Sequence, residues 1–424
     1  MAIRVAIVTL LAVSLCSQAQ QQSDLQITAQ LRYRAEYRQN ADFDTQFGDQ
    51  QAFVAQRLRL RLQWQPQSKL RAVVRVQDSR RWGEAGSTTQ PLNSTEFHLG
   101  FVEMEELGGL PLAVRIGRQE LALGEQRLVG PFDWDNSGRA FDALRLQLGK
   151  QRHLLQVWFA HLRDKNAAAI NSNQEFVGLH YTTSTDANPI LEAYAMMLID
   201  DRDFPIGSSS EKLLWLNTLG LRCAGSVWQN LQFDGEIAYQ TGDHGSLSVS
   251  AFAVIMRGQY AVPMPWSPTL GLGYEFGSGD SNPNDEKLET FSALFPSIHR
   301  HLGAMDYVSR SNSAATDAFV HVTPAAEWSL KLHYFYFQLA HGNDAWYKAE
   351  GFNFDRRSET FLPALPGESI ELGHEFDLLI SYRFRRQVLI AAGLSRFIAG
   401  GFIKAGNPGA EDSDWGYLSL TMEL

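Results

Sequence analysis

The sequence predicts an all-β fold, a single transmembrane antiparallel β-barrel of about 16 to 18 strands, about 18 being favoured. Three observations predict it. Long segments alternate strictly between apolar and polar residues, the connections between segments are alternately short and long, and aromatic residues recur near the segment ends. The chain has 424 residues, of which 44% are hydrophobic, so it is too apolar to be disordered and long enough for one large barrel.

The composition argues against two other classes of protein. A net charge of -10 is unlike that of a nucleic-acid binder, which usually carries a basic face, and we expect no nucleic-acid partner. The sequence has no apolar run of about 18 or more residues, so it offers no transmembrane helix.

Residues 1–19 have the features of an export signal. Arg4 precedes an apolar run, and small residues stand at the positions that a signal peptidase reads. We expect cleavage after Ala19 and Sec-type export, which leaves residues 20–424 as the barrel. Lipidation of Cys16 is the alternative, and the bulky residue before it disfavours that modification.

The first strands begin soon after the signal. From residue 25 to residue 38 the odd positions are apolar and the even positions are polar. Only a β-strand places these two sets on opposite faces. The pattern returns over residues 54–65 and, after a tight turn at Pro66, over residues 70–77. These segments predict a long hairpin with a short turn.

The later strands show the same period of two, more weakly in places. They are predicted at residues 97–101, 112–116, 155–159, 231–239, 328–336, 376–384 and 416–424. Short joins such as 65–69 and 149–152 alternate with long polar loops such as 78–94 and 277–289, as in an outer-membrane barrel. Because the last segment alternates up to Leu424, it can pair with the first and close the sheet.

A soluble β-sandwich or a propeller would show a similar alternation, since each has one buried and one wet face of a sheet. Strand length favours the membrane barrel instead. The alternating segments run for about 10 to 14 residues, whereas soluble strands average about 5 to 6. A barrel of this width encloses a lumen, so transport is the first function to consider.

Arginine is concentrated on the polar face of the first strands. Between residues 25 and 75 there are nine Lys or Arg and four Asp or Glu, although the whole chain is acidic. We expect a basic ladder facing the lumen, formed by Arg32, Arg34, Arg57, Arg59, Arg61, Arg71 and Arg75 and continued by Arg115, Arg118, Arg127 and Arg145. Guanidinium stays charged and binds carboxylates in a bidentate way, so such a ladder favours anions in a pore. The alternative is that these arginines form structural ion pairs with Glu36, Glu96, Glu120, Asp133 and Asp142.

Three blocks of sequence carry a family resemblance. The first contains Gly117-Arg118-Gln119-Glu120-Leu121, residues 124–130, Asp133-Trp134 and Arg139-Ala140-Phe141-Asp142. The second contains Gly279-Asp280, Glu289-Thr290-Phe291, Leu294-Phe295-Pro296, His299 and residues 303–306, and the third contains residues 373–377, 395–397 and 402–404. Together they resemble the alginate-export family of outer-membrane β-barrels over most of the mature chain. The resemblance implies a barrel of about 18 strands whose arginine-rich constriction passes a polyanionic polysaccharide, without fixing alginate as the cargo.

The first block also has chemistry that can be interpreted without the family. Arg118 and Glu120 have the same parity and are expected to share a face. The segment after them is crowded with charge at Arg127, Asp133, Asp135, Arg139 and Asp142. This density predicts a constriction folded into the lumen, where fixed charges bind a sliding polyanion weakly and at many sites. The alternative is a salt-bridge network that props the lumen without touching cargo.

The sequence also bears on two other kinds of site, a metal site and a catalytic site. The loop from Gly277 to Glu286 is rich in oxygen ligands, so calcium binding at Asp280, Asn282 and Asp285 is one interpretation and a solvated outer loop is the other. We expect no other metal and no cofactor. The sequence has no Gly-x-Ser-x-Gly nucleophile elbow, and we expect a channel rather than an enzyme.

The function expected from the sequence is passive diffusion of anionic solutes through an arginine-lined lumen, with an anionic polysaccharide or oligosaccharide such as alginate as cargo. A general anion-preferring porin for small solutes is the alternative. The expected location is the outer membrane of a Gram-negative-type bacterium. The expected partners are membrane lipid, the anionic cargo and periplasmic export proteins.

Overall fold

A computed structural model describes residues 24–44, 49–82, 94–150, 152–162, 174–184, 189–200, 214–348 and 360–424. The predicted signal peptide, with its cleavage site after Ala19, lies outside the described residues. No helix in these ranges is long and apolar enough to cross a membrane.

Eighteen antiparallel strands form one closed barrel. They are β1 Leu25–Gln39, β2 Gln51–Gln67, β3 Leu70–Trp82, β4 Ser94–Met104, β5 Leu112–Gln119, β6 Phe141–Lys150, β7 His153–His161, β8 Gln174–Ser184, β9 Ile190–Asp200, β10 Leu214–Trp228, β11 Leu231–His244, β12 Leu247–Ala261, β13 Thr269–Gly277, β14 Ser313–Val322, β15 Trp328–Gln338, β16 Glu371–Phe384, β17 Val388–Ala399 and β18 Ser413–Glu423. Each segment predicted from alternation lies within a strand, apart from the terminal Leu424.

Each barrel strand pairs with its neighbours in the sequence, and β1 pairs with β18 to close the sheet. The closing pairs run from Gln30 opposite Glu423 to Gln39 opposite Asp414. The prediction of a closed all-β barrel is therefore confirmed, and the strand count falls within the predicted range. Closure leaves no unpaired sheet edge, as a membrane-spanning sheet requires.

Successive side chains of each strand point alternately to the outside of the barrel and into the lumen. On β2 the apolar residues Leu58, Leu60 and Leu62 are 37–38% exposed on the outer face, whereas Arg57 and Arg59 are 1% and 7% exposed inside. A β-bulge between β3 and β4 breaks the strict alternation, so that the consecutive residues His98 and Leu99 are both buried. The polar face of the first strands is thus the lumen face, as predicted.

The connections divide the barrel into two ends. At one end, which we call the short-turn end, strands are joined by turns such as residues 229–230 and 385–387. The other is the long-loop end, where the connections include residues 120–140 and 278–312. Residues 245–246 are an exception, since they make a two-residue turn at the long-loop end.

Smaller elements lie within the connections. Residues Lys287–Leu288 pair in parallel with β12, and Trp346–Tyr347 pair with Thr360–Leu362. Within the described residues, the remaining elements are the 3-10 turns Leu107–Gly109 and Ile298–Arg300 and a short helix, Gly401–Gly406.

Two loops fold into the lumen at the long-loop end, and their apolar side chains pack against the inner wall of the barrel. Loop A is residues 120–140, and its Leu121 and Val129 are fully buried against inward wall residues such as Trp158 and Leu216. Loop B is residues 278–312, and its Met305 and Val308 pack with wall residues in a second apolar cluster. The long-loop half of the lumen is therefore packed with side chains, and the short-turn half is left more open.

Candidate functional site

Two wall arginines hold the backbone of loop A. Arg32 on β1 donates from Nη1 to the Asp133 carbonyl at 2.8 Å and from Nη2 to the Trp134 and Asp135 carbonyls at 3.2 and 3.1 Å. Arg57 on β2 donates from Nη1 to the carbonyls of Asp133 and Asp135 at 3.0 and 3.2 Å. Because guanidinium has five N–H donors in a fixed fork, it can satisfy several carbonyls of one tight turn.

The Asp133 carboxylate is also held by two arginines of the wall, Arg57 and Arg59. Its Oδ1 is 3.1 Å from Arg57 Nη1 and 2.5 Å from Arg59 Nη1. Partial burial opposes ionisation, but the two guanidinium groups outweigh it and lower the pKa of Asp133 below its usual value. Asp133 is therefore a charged anchor for the tip of loop A.

Four arginines of the predicted ladder hold loop A against the wall. Arg32, Arg34, Arg57 and Arg59 are only 7%, 5%, 1% and 7% exposed. They face the lumen as predicted but have little contact with its water, because the carbonyls and the carboxylate of loop A cover them. Arg34, Arg57 and Arg59 form ion pairs with Glu36 and Asp133, as the structural alternative expects, whereas Arg32 donates to loop carbonyls.

Five other arginines lie nearer the short-turn end and are partly exposed to the lumen. They are Arg61, Arg71, Arg75, Arg115 and Arg145. Arg71 and Arg115 both pair with Glu103, and Arg75 pairs with Glu120 at 2.9 Å. We call these five residues the lower arginines.

Two of the lower arginines have no ion pair among the described residues. Arg61 donates to Gln63 Oε1 at 2.7 Å, and Arg145 donates to Gln156 Oε1. In register, Arg61 lies opposite Arg75 and Arg145 lies opposite Arg115. The lower arginines thus have two carboxylate partners, Glu103 and Glu120, for five positive charges.

Arg118 and Asp142 were predicted to face the lumen, but their side chains lie on the outer face. They form an ion pair at 3.2 Å on the face that also carries the exposed side chains of Ile116 and Leu144, the outer face of the barrel. Glu120 contacts Arg75 inside the lumen, so Arg118 and Glu120 do not share a face. The parity rule fails here because β5 ends at residue 119, and Glu120 already belongs to loop A.

Arg127 belongs to loop A and contacts the wall opposite the predicted ladder. Its Nη1 is 3.1 Å from Asp234 and 2.8 Å from Glu236, both on β11. Arg222 on β10 pairs with the same Asp234 at 2.9 Å. Arg310 of loop B donates to the Arg127 carbonyl at 2.8 Å. Sequence reasoning missed Arg222, which pairs with Asp234 across the β10–β11 hairpin, and Arg310, which pairs with Glu275 of β13 at 2.5 Å.

The two inward loops are joined to each other. Arg139 of loop A donates from Nη1 to the carbonyls of Phe295 and Pro296 at 2.5 and 3.1 Å, and Val129 forms a parallel bridge with Phe295. His301 of loop B bonds the Glu125 carbonyl through Nε2 at 2.8 Å. Burial lowers the pKa of His301 to about 3, so its ring is neutral at pH 7 and Nε2 donates the hydrogen.

The residues considered for calcium do not converge. Asp280 Oδ1 accepts the Asn282 N–H at 3.0 Å, Asn282 Oδ1 accepts the Asn284 N–H at 3.4 Å, and Asp285 Oδ1 accepts the Lys287 N–H at 2.9 Å. Within the described ranges, no group of three or more His, Cys, Asp or Glu side chains is placed to hold a metal ion. The loop oxygens cap their own backbone turns instead.

The lumen therefore has two functional layers. In the long-loop half, loops A and B are fixed to the wall and to each other. In the short-turn half, the lower arginines carry more positive charge than their partners neutralise. The excess of positive charge thus lies on the short-turn side of the packed loops.

Comparisons with known proteins agree with this architecture. The family described as "Alginate export" matches residues 23–416 of the chain. No curated protein matches. Solved structures with a similar fold include Pseudomonas aeruginosa outer-membrane proteins at low sequence identity.

Three of these structures have nearly the same extent as the chain. OccK8 (OprE) has a TM-score of 0.62 at 14% identity, with 95% of this chain and 98% of that chain covered. OprD has a TM-score of 0.62 at 11% identity, with 96% of each chain covered. OpdK, solved with vanillate, has a TM-score of 0.60 at 10% identity, with 94% of this chain and 98% of that chain covered.

The fold and the family are those of passive outer-membrane channels, located in the outer membrane of Gram-negative bacteria and surrounded by its lipid. The family match spans nearly the whole chain, and the closed barrel has the strand number that the resemblance implied. The chain belongs to the alginate export family of outer-membrane β-barrels.

Proposed function

We propose that this channel passes anionic solutes by passive diffusion, and that its cargo is an anionic polysaccharide or oligosaccharide such as alginate. The observation that carries the proposal is the excess of positive charge among the lower arginines, where Arg61 and Arg145 have no ion pair among the described residues. The family match supports a saccharide cargo.

The mechanism follows from the distribution of this charge. The lower arginines are spread over β2, β3, β5 and β6, so a chain of carboxylates can move from one guanidinium to the next. Each contact is weak because water still reaches both partners, and weak binding at several sites is what conduction requires. Loops A and B narrow the long-loop half and force the cargo into single file.

The test is block of single-channel current in a planar bilayer. Oligouronates added to one side should interrupt the current in a length-dependent way, whereas neutral oligosaccharides of equal length should not. Equal block by neutral and acidic oligomers would refute charge-based selection of the cargo.

A general anion-preferring porin for small solutes is the second candidate. It is favoured by the packing of loops A and B, which occupy much of the long-loop half of the lumen. OpdK, whose fold is similar, was solved with vanillate, a small molecule. Free permeation of small anions with no block by oligouronates would favour this candidate.

Two further parts of the proposal concern export. We propose that residues 1–19 are removed after Ala19, which intact-mass measurement of the outer-membrane protein tests directly. We also propose that periplasmic export proteins dock at the short-turn end, where a cargo chain would enter. Cross-linking in cells from the exposed turn residue Lys69 would identify such a partner.

A further inference from the structure

A recess opens on the lumen wall near the short-turn end, away from the lower arginines. It has a volume of about 600 Å³ and is formed by β12 to β18. Its lumen-facing side chains include Arg257, Phe319, Lys331, Leu379 and Tyr417. In the strand order, β15, which carries Lys331, is half a turn of the barrel from β6, which carries Arg145.

Glycines create the shape of this recess. A Cβ atom added at Gly271 would lie 2.0 Å from the ring of Phe319, and one added at Gly393 would lie 2.3 Å from the ring of Tyr417. Each aromatic ring therefore lies directly over a glycine of the neighbouring strand. With no side chain below them, the rings lie against the wall and leave space above.

One cation in the recess has no carboxylate partner among the described residues. Lys331 Nζ lies 4.6 Å from the centroid of the Phe319 ring, and neither a hydrogen bond nor an ion pair to described residues satisfies it. Arg257, in contrast, pairs with Asp317 at 2.8 Å, and His333 contacts the same carboxylate at 2.8 Å. The Asp317 carboxylate is thus engaged elsewhere, and the ammonium of Lys331 faces the recess.

The chemistry of the recess defines its ligand. An unpaired ammonium takes a carboxylate, while the exposed part of the Tyr417 ring and the Leu379 side chain offer an apolar surface to the face of a ring. The volume lies within the range of about 300–1,000 Å³ that small-ligand pockets have. A ring that carries one carboxylate satisfies both features.

We propose that this recess is a binding subsite for a single uronate unit, with its carboxylate on Lys331 and its ring against Tyr417. The choice of a uronate rests on the proposed function; the site itself rests on the geometry of the recess. An acidic saccharide that moves through the lumen binds transiently at this subsite, on the wall opposite β6.

The test uses the full barrel in a planar bilayer, with monomeric glucuronate as the probe on the short-turn side. Wild-type current should fall with glucuronate concentration and should not respond to glucose. Lys331→Met should raise the half-saturating glucuronate concentration about tenfold, the loss expected for one charge-assisted hydrogen bond. Lys331→Arg should restore most of the binding, and Tyr417→Leu should weaken glucuronate but not acetate.

Lys69→Met is the matched control, because it removes one positive charge from an exposed turn at the same end of the barrel. An unchanged half-saturating concentration in Lys331→Met, with normal conductance in salt, would overturn the subsite. Equal losses in Lys69→Met and Lys331→Met would also overturn it, since they would indicate general electrostatics.

The subsite and the proposed function can be tested independently of each other. Glucuronate binding that depends on Lys331, together with no block by oligouronates, would support the subsite and reject the polysaccharide cargo. Oligouronate block without any dependence on Lys331 would keep the cargo and reject the subsite.

Discussion

The guanidinium of Arg34 lies over the indole of Trp134, with its Cζ atom 3.9 Å from the ring centroid, and donates from Nη1 to the Trp134 carbonyl at 2.7 Å. One wall residue thus holds one loop residue by both its ring and its backbone. Trp134 also stacks on His299 of loop B, with centroids 3.7 Å apart and planes at 6°. The wall, loop A and loop B meet at this single side chain.

Replacing Trp134 by Ala should loosen the constriction. The variant loses the contact with Arg34 and the stack with His299, so loops A and B become more mobile. We expect larger and noisier single-channel currents than in the wild type. Trp64→Ala is the control, because Trp64 is 52% exposed on the outer face. Noise that rises equally in both variants would contradict the role of Trp134.

Replacing Arg57 by Met should destabilise the barrel by about 1.5–3 kcal/mol, since it removes one of the two guanidinium donors from the Asp133 and Asp135 carbonyls and from the Asp133 carboxylate. Urea unfolding in lipid vesicles measures the loss. Arg80→Met removes an exposed pair with Asp78 and should cost less than about 1 kcal/mol. Similar losses in the two variants would show that Arg57 is not an anchor.

The anchoring of loop A should resist acid. The pKa of Asp133 is lowered in the folded barrel, so its contribution to stability is complete above the unfolded value of about 3.9 and is lost only as pH falls through the folded pKa. Current noise should therefore stay constant from pH 7 to about pH 4 and rise below it. Asp133→Asn should be noisier at pH 7 and insensitive to acid, whereas Asp285→Asn should behave as the wild type. A rise in noise between pH 6 and pH 5 would contradict this assignment.

Gly117 should tolerate no side chain. Its φ of 119° is unusual for other residues, and an added Cβ would lie 2.2 Å from the Gly100 carbonyl oxygen on β4. Gly117→Ala should reduce the yield of folded, heat-modifiable barrel, by a destabilisation of about 1–3 kcal/mol. Gly100→Ala is the matched control, because an added Cβ there meets nothing within 4 Å. Equal yields for the two variants would refute the constraint.

Much of the fold could be predicted because alternation is a local property of the chain. Residues 25–38 and 54–77 predicted β1, β2 and β3 and the face on which their arginines lie. The closing pair of β1 and β18 followed from the alternation that continues to the end of the chain. The strand number was narrowed by length and family resemblance together.

The site could be predicted only in part, because the partners of its charges are not visible in the sequence. Arg32 and Arg57 bind backbone carbonyls of loop A, and a carbonyl belongs to every residue type. Arg118 was misplaced because it was assigned to the same face as Arg115, although an interval of three residues within β5 puts the two side chains on opposite faces. Lys331 was missed since its recess depends on glycines of two other strands.

The final prediction is that uncompensated lower arginines make the lumen select anions. It is tested most directly by the reversal potential of single channels under a salt gradient, for the wild type, the double variant Arg61→Met with Arg145→Met, and Arg118→Met. We predict anion selectivity in the wild type, a drop of about twofold or more in the anion-to-cation permeability ratio in the double variant, and no change in Arg118→Met, whose side chain lies on the outer face. Cation selectivity in the wild type, or an unchanged ratio in the double variant, would contradict the account.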